Sequence, residues 1–478
     1  LAYESITFNG IRKDWLYIER GRSKPPFAAR RRNLITVPGY PGGHLQSTEV
    51  DPLTISQPVG FRIKDDADAL VKQDELAEWL LTDEPVPLEF DDEPGRIYYA
   101  VVQNTLEDFE KMSLLRSGTI QFICPDPYAY GQEKAHGLTG QGTVINVAGT
   151  AEAKPVFELE VLEPVTFAMI SNGDEYNLVG RPASASDQTF VREELVMHDD
   201  CTSLAGWITA DKVDNGKITG AMKSVNGAFV VDSVGTPVSP AVWQGPSIKR
   251  DIGATLENFR MATKVSLNNL VGQTGMIEIY LLDAFGEIVA KIGIEDVWRG
   301  LKKVQGKFQM GEIGNREAYY READYAPAWN NFDGILQIFR DNGKLRPYFA
   351  LIDNKGKHVW VSSEYSYNDV NNNYHTPITQ IQIAFRMWPG TEMSEAEIKD
   401  IKFWRYKKEP DKVPYIAQPG DIITFDHTSD SVYLNGQNFM KEHAIGGTFF
   451  KLKKGDNTLA MLPDGAFNGS LIYRTRYK

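Results

Sequence analysis

The chain has 478 residues, 42% of them hydrophobic, and a formal net charge of −13; that length suits about two to four domains with sizeable cores. The acidic balance excludes a general nucleic-acid binder, which needs surplus lysine and arginine to neutralise phosphates. Two cysteines without metal or disulfide spacing, and no window near the ~18 apolar residues of a membrane helix, exclude a zinc module, a disulfide scaffold and a membrane-spanning helix.

In residues 1–130, "ITFNG" opens a hairpin, because Asn9-Gly10 suits the positive φ angles of a tight turn. The start, "LAYESITFNG", has no basic-then-apolar leader, so no secretory signal is expected. Pro-Gly and Gly-Gly pairs break "RRRNLITVPGYPGGHLQSTEVDPLTISQPVGFRI" into short strands. "DADALVKQDELAEWLL" reads as the single helix, with Leu70, Val71, Leu76, Trp79 and Leu80 on one face. Strands return and end in "GTIQFICPDPYAYG", where Cys124 alternates with apolar neighbours as a small core residue. Pro125 and Pro127 each fix φ and extend the residue before them, which makes this interdomain joint stiff. Tyr128 and Tyr130 are placed to pack against the domains it connects. Residues 131–196 hold about three or four strands, too few to close a sandwich without raw edges. Within them "GLTGQG" reads as a linker and Asn172-Gly173-Asp174 as a turn.

Residues 197–410 differ in composition. Seven of the nine tryptophans fall here: Trp207, Trp243, Trp298, Trp329, Trp360, Trp388 and Trp404. Turns at Asp-Ala-Phe-Gly, Asp-Asn-Gly and Asp-Asn-Lys-Gly separate strand patterns at ~8–12 residue intervals, which predicts a β-sandwich large enough for a jelly roll. Phe403 of "IKFWRY" is expected inside. Residues 411–478 return to about four or five plain strands. Together, 131–196 and 411–478 supply one closed sandwich, so 197–410 is predicted to be a domain inserted into a loop of a split domain. "LVMHDD" and "KKEPDKVP" are the expected polar junctions. The fold class is mainly β: an N-terminal β-sandwich with one α-helix and a hairpin extension, then a sandwich interrupted by an inserted jelly roll.

No catalytic motif emerges. The chain lacks a Walker loop, a GxSxG elbow, HExxH, and GxGxxG between a strand and a helix. The seven histidines are scattered and read as surface or hydrogen-bonded residues, so no metal and no cofactor are expected. Asp65-Asp66, Asp91-Asp92 and Asp199-Asp200 read as solvated turn pairs. Glu278 and Glu295 lie near strands of the third segment, where a retaining glycosidase would need two carboxyl groups ~5 Å apart. "ARRRN" (Ala29–Asn33) is the one basic cluster and reads as pairing with carboxylates across a subunit interface. Trp and Tyr on a sandwich face can stack on sugar rings while Asn and Asp bond the hydroxyls. "EAYYREADYAPAWNNFDG" concentrates Tyr319, Tyr320, Tyr325, Trp329, Asn330, Asn331 and Asp333, and is the candidate carbohydrate-binding loop. Capping of the sandwich core is the competing role for the same rings.

In order along the chain, "ITFNG", the "EWLL" helix, "GTIQFICPDPYAYG", "KPVFELEV", "PGDIITFDHTSDSVYLNG", "FFKLKKGDNTL" and "SLIYRTRYK" resemble the distal tail proteins of siphophages of Gram-positive hosts. The resemblance covers about 1–195 and 411–478. The third segment departs from the basic pattern and looks like the carbohydrate-binding insertions of enlarged members, which are lectin-like jelly rolls. The resemblance implies that the split domain is galectin-like. It implies a structural hub at the virion tail tip, assembled in the bacterial host cytoplasm as a hexameric ring or two stacked rings. The tail tube protein would lie on one side and the tail-associated, lysin-type protein on the other. A host cell-wall saccharide would be the insertion's partner, and the exposed hairpins of the first segment would reach a neighbouring subunit. On this reading the chain is not an enzyme and has no membrane or specific nucleic-acid partner. Two alternatives stand beside it: a polysaccharide hydrolase whose catalytic domain is the insertion, and an insertion that docks a neighbouring tail protein.

Overall fold

The computed structural model describes residues 4–103, 110–112, 115–322 and 328–478. Asn9 and Gly10 both take positive φ and fold Ile11–Arg12 back onto Ile6–Phe8. Helix α1 (Asp66–Leu80) begins at Asp65, whose carboxylate accepts from the Asp68 amide at 2.8 Å. Asp65 is therefore a helix cap, not merely a solvated turn residue. The helix buries Ala69, Leu76, Trp79 and Leu80 and leaves Leu70 and Val71 exposed. Its packed face is thus rotated from the expected one, with Ala69 in place of Leu70 and Val71, since Ala69, Leu76 and Leu80 recur at helical spacing. Trp79 pins the helix, its Nε1 donating to the Phe8 carbonyl at 3.0 Å. The surrounding core holds Ile55, Phe61, Phe90, Phe122 and Cys124. Burial, then the nearby Asp126 charge, pushes the Cys124 thiol up to about 12.

The sheet continues through the joint. The strand Ala129–Leu138 meets Ile97–Val102 on one side and the last strand, Phe467–Tyr477, on the other. Val156–Val161, Ile422–Asp426 and Ser431–Leu434 extend it, so fourteen strands form one sheet among the described residues. A second sheet, Gln141–Val147, Gly455–Leu462, Phe167–Ser171 and Tyr176–Gly180, covers a core drawn from both sides of the insertion, such as Phe157 and Ile170 with Phe425 and Leu471. "GLTGQG" is not a linker. Gly140 and Gly142, at positive φ, turn the chain from the first sheet into the second.

A third core runs from Met197 to Phe403 between a nine-stranded and an eight-stranded sheet. Strand alternation sorts its residues: Ile277, Ile279 and Leu281 face the core, and Glu278 and Tyr280 face the other way. Phe403 is fully buried. The strand Glu193–Asp199 pairs with Glu395–Tyr406, so "LVMHDD" is mostly strand, not a polar junction. Asp199 is buried, not solvated. It accepts from Trp207 Nε1 at 2.9 Å and from the Cys201 amide at 2.8 Å, and it pairs with Arg250 at 2.5 Å. The two chain crossings are tied by a short parallel pair, Thr189–Phe190 with Val413–Pro414. Loops dock as well: the His358 amide donates to the Gly436 carbonyl at 3.0 Å, and Gln337 Nε2 donates to Gln437 Oε1 at 3.2 Å.

Arg30–Ile35 and His44–Val50 pair only with each other among the described residues. Leu34, Ile35, Val37, Tyr40 and Leu45 are exposed along this ribbon and its turn. Arg31 already meets Asp51 at 3.3 Å and Glu49 at 3.9 Å within the ribbon. That member of the basic triplet is satisfied locally rather than across an interface.

Candidate functional site

The joint is closed by the last strand of the chain. Arg476 donates from Nη2 to both Asp126 oxygens at 3.2 Å. Its guanidinium lies 4.0 Å from the Tyr128 ring centre and 5.5 Å from that of Tyr130. Tyr130 donates its hydroxyl to Asp126 and packs edge-on against Tyr99 at 5.5 Å. Burial, and then the bond to Asp126, pushes the Tyr130 phenol up. Arg96 lies over the Tyr477 ring at 3.1 Å. Pro125 and Pro127 thus flank a carboxylate that gathers Tyr130 and Arg476. The sequence reading missed Asp126 and Arg476. A charge between two prolines was a usable signal for Asp126, whereas Arg476 lies 350 positions away and had none.

The candidate sugar loop does not form one surface. Tyr319 is half-buried, stacked on Tyr365 at 4.5 Å, with its hydroxyl donating to Glu364 at 2.7 Å. Tyr320 is 44% exposed on the other face of the same strand, with Lys307 Nζ 5.4 Å from its ring centre. Tyr325 lies outside the described residues. Trp329 is a correction: it is 2% exposed, packs on Phe332 and Phe349, and donates its Nε1 to the Trp360 carbonyl at 3.0 Å. A sugar cannot reach that ring. Asn330 is spent on the backbone, accepting from the Val304 amide at 3.2 Å and donating to the Lys302 carbonyl at 3.0 Å. Asn331 turns the chain at positive φ, and Asp333 is exposed on the neighbouring nine-stranded sheet. Trp329 takes the competing core-capping role, which composition could not decide because it carries no information about facing.

The outward face of the eight-stranded sheet carries a buried charge cluster. Lys291 meets Glu278 at 3.0 Å and Asp214 at 3.1 Å, and Arg386 meets Glu278 at 2.6 Å. Tyr280 donates to Glu278 at 2.6 Å, and Gln309 and the Ile313 amide donate to Asp214 at 2.9 and 3.0 Å. Burial alone would raise the Glu278 pKa, but Arg386 and Lys291 outweigh it and hold the carboxyl well below its ordinary range. Glu278 has no proton to give and its oxygens are taken, so it cannot serve as the acid of a glycosidase pair. Among the described residues no group of three or more His, Cys, Asp or Glu is placed to hold a metal ion, and no helix is long and apolar enough to cross a membrane.

Two family models match the chain. Residues 12–124 match the phage tail protein RIFT-related domain. Residues 384–477 match the siphovirus-type tail component, C-terminal domain. A curated relative, the distal tail protein of Bacillus phage SPP1, is 36% identical over 73 residues, which is 15% of this chain and 28% of that protein. The matched stretch thus spans less than a third of the curated relative. Among solved structures, the SPP1 Dit protein aligns at 10% identity over 99% of both chains with a TM-score of 0.41. The CBM2 module of the evolved Dit of Lactobacillus casei BL23 phage J-1 aligns at 16% identity, over 46% of this chain and 98% of that module, with a TM-score of 0.39.

Proposed function

We propose, for a chain that belongs to the siphophage distal tail protein family, the role of a ring-forming tail-tip hub. In this role the tail tube would be joined to the lysin-type and receptor-binding apparatus. The observation that carries the reading is the pair of family domains, one near each end of the chain, joined in one continuous sheet. Residues 1–130 would build the ring, and the split domain of 131–196 and 411–478 would point outward. The exposed ribbon supports a head-to-tail contact with a neighbouring copy, since a ring closes only through such heterologous contacts. Negative-stain images of the purified protein are expected to show a six-fold ring. A monomer that persists in light scattering at high concentration would overturn the ring.

The insertion, 197–410, is assigned the binding of a host cell-wall saccharide. Weak single sites are sufficient, because several copies on one ring raise avidity by ~10²–10⁴. Labelled full-length protein is expected to decorate host cell walls, and absence of decoration would sink this assignment while leaving the hub intact. The family is structural. A hydrolytic role for the insertion is disfavoured by Glu278, which is saturated by Arg386, Lys291 and Tyr280.

A further inference from the structure

Cross-strand pairing sets two rows of side chains on the outward face of the eight-stranded sheet. One row runs Arg386, Met276, Glu295, Gln305 and Glu322, and the next runs Ala384, Glu278, Gly293, Lys307 and Tyr320. Trp388, two residues beyond Arg386, continues the first side and packs edge-on against Trp243 at 5.5 Å. The segment 211–217 closes the lower part of this face: Asp214 sits on Lys291 and Gln309, and Lys212 pairs with Glu287 and Glu312. Gly293, beside the closed part, contributes no side chain to the strip, and a Cβ there would meet the Ile277 carbonyl at 2.5 Å. Across five strands the strip is ~19 Å long at the usual strand spacing, room for roughly three or four pyranose rings.

From this geometry we infer a saccharide groove floored by Glu295, Gln305 and Lys307 and bounded by Trp388 and Tyr320. The inference rests on the saccharide reading of the insertion and goes beyond it by naming the site and the ligand class. Trp388 is 39% exposed and Tyr320 44%, so each offers an aromatic face for the C–H side of a sugar ring. Glu295, 5% exposed, accepts from Gln305 at 2.7 Å and keeps acceptor capacity for hydroxyl groups. Lys307, held beside Tyr320, donates to ring or hydroxyl oxygens. Lys303 meets Glu322 at 2.7 Å and Lys307 offsets Glu295, so the floor has no surplus positive charge to hold a polyanion and suits a neutral chain of hexose or N-acetylhexosamine units.

The test is binding of full-length protein to a printed array of neutral hexose and N-acetylhexosamine oligosaccharides. Trp388→Ala and Tyr320→Ala are each expected to weaken binding by about tenfold, equivalent to ~1.4 kcal/mol. Phe285→Ala, at a fully exposed turn elsewhere on the same sheet, should bind as wild type. Tyr320 lies on an edge strand, so its variant tests the groove even where Trp388→Ala fails to fold. Wild-type binding that survives in Tyr320→Ala, or in a folded Trp388→Ala, overturns the groove and leaves saccharide binding standing. A wild-type protein that binds no member of the array overturns both.

Discussion

His427 is 1% exposed among Phe157, Phe449 and Phe450, and its two ring nitrogens have fixed roles. Nδ1 lies 2.6 Å from the Phe450 carbonyl, so it carries the hydrogen and donates. Nε2 then accepts from Asn177 Nδ2 at 3.3 Å, which turns Asn177 Oδ1 toward His443 Nε2 at 2.9 Å. A second proton on His427 would set two donors against each other. Burial lowers the His427 pKa to about 4, against smaller upward pulls from the Phe450 carbonyl, Asp426 and Asp430. The unfolded chain therefore binds this proton at higher pH than the folded one, and stability falls as pH drops from ~6.5 toward that value, by an expected 2–3 kcal/mol in order of magnitude. Thermal unfolding across that window checks it: His427→Gln should reduce the dependence, with the remainder carried by His358, which burial also lowers to about 4, and equal slopes would refute the assignment. At the joint, Arg476→Lys keeps the charge but loses the planar contact with Asp126 and Tyr128, an expected cost of about 1–3 kcal/mol. Faster proteolytic cleavage within 124–130 is the expected readout, and unchanged cleavage would mean that the prolines alone hold the joint. The prolines were legible in the sequence because their effect on φ is local. The Asp126–Arg476 pair was not, because it exists only once Ala129–Leu138 pairs with Phe467–Tyr477, over 300 positions on.

Elements defined by turns were legible for the same local reason. Asn9-Gly10 and Asn342-Gly343 both take positive φ, as a tight hairpin turn requires. The helix was legible as an element but not in its facing, since Leu70 and Val71 are exposed while the smaller Ala69 is buried. Facing is decided by what lies across the interface, here Phe8 and its neighbours around Trp79. The same limit applied to Trp329 and to the strand Glu193–Asp199, whose partner lies some two hundred positions on. The hairpin turn at Gly436 has a second duty that no local pattern announces. A Cβ on Gly436 would meet the Gly356 carbonyl oxygen at 2.0 Å, so this turn and the insertion's Asp353–Gly356 turn touch backbone to backbone. Gly436→Ala is expected to force the two apart and, with its positive φ, to cost about 1–3 kcal/mol. Hydrogen exchange at the His358 amide, which donates to Gly436, should accelerate markedly. Protection equal to wild type would mean that the dock contributes little to holding the insertion.

At the scale of the molecule, the parallel pair of Thr189–Phe190 with Val413–Pro414 and the dock at Gly436 make the insertion a fixed part of the body instead of a tethered module. A rigid body would present each proposed saccharide site of the proposed ring in a set direction, which would favour simultaneous engagement on one surface. That advantage exists only if the ring forms, and the ribbon Arg30–Ile35 with His44–Val50 is the element with exposed apolar residues and no sheet partner of its own. Its two ends differ. Near the body, Arg31, Asn33 and Glu49 bond one another across the ribbon. Toward the tip, Leu34, Ile35, Val37, Tyr40 and Leu45 have no such company. An apolar tip on a polar stem suits insertion against a neighbouring copy, with the tip desolvated and the stem left in water. Leu34→Asp combined with Tyr40→Asp is therefore expected to convert the ring to monomer, because two charges would be carried into the contact. The fold should be untouched, since neither residue belongs to any of the buried cores. Light scattering together with the thermal unfolding profile separates the outcomes. Loss of the ring at unchanged unfolding temperature is expected, and a ring that persists in the double variant would move the subunit contact away from the ribbon.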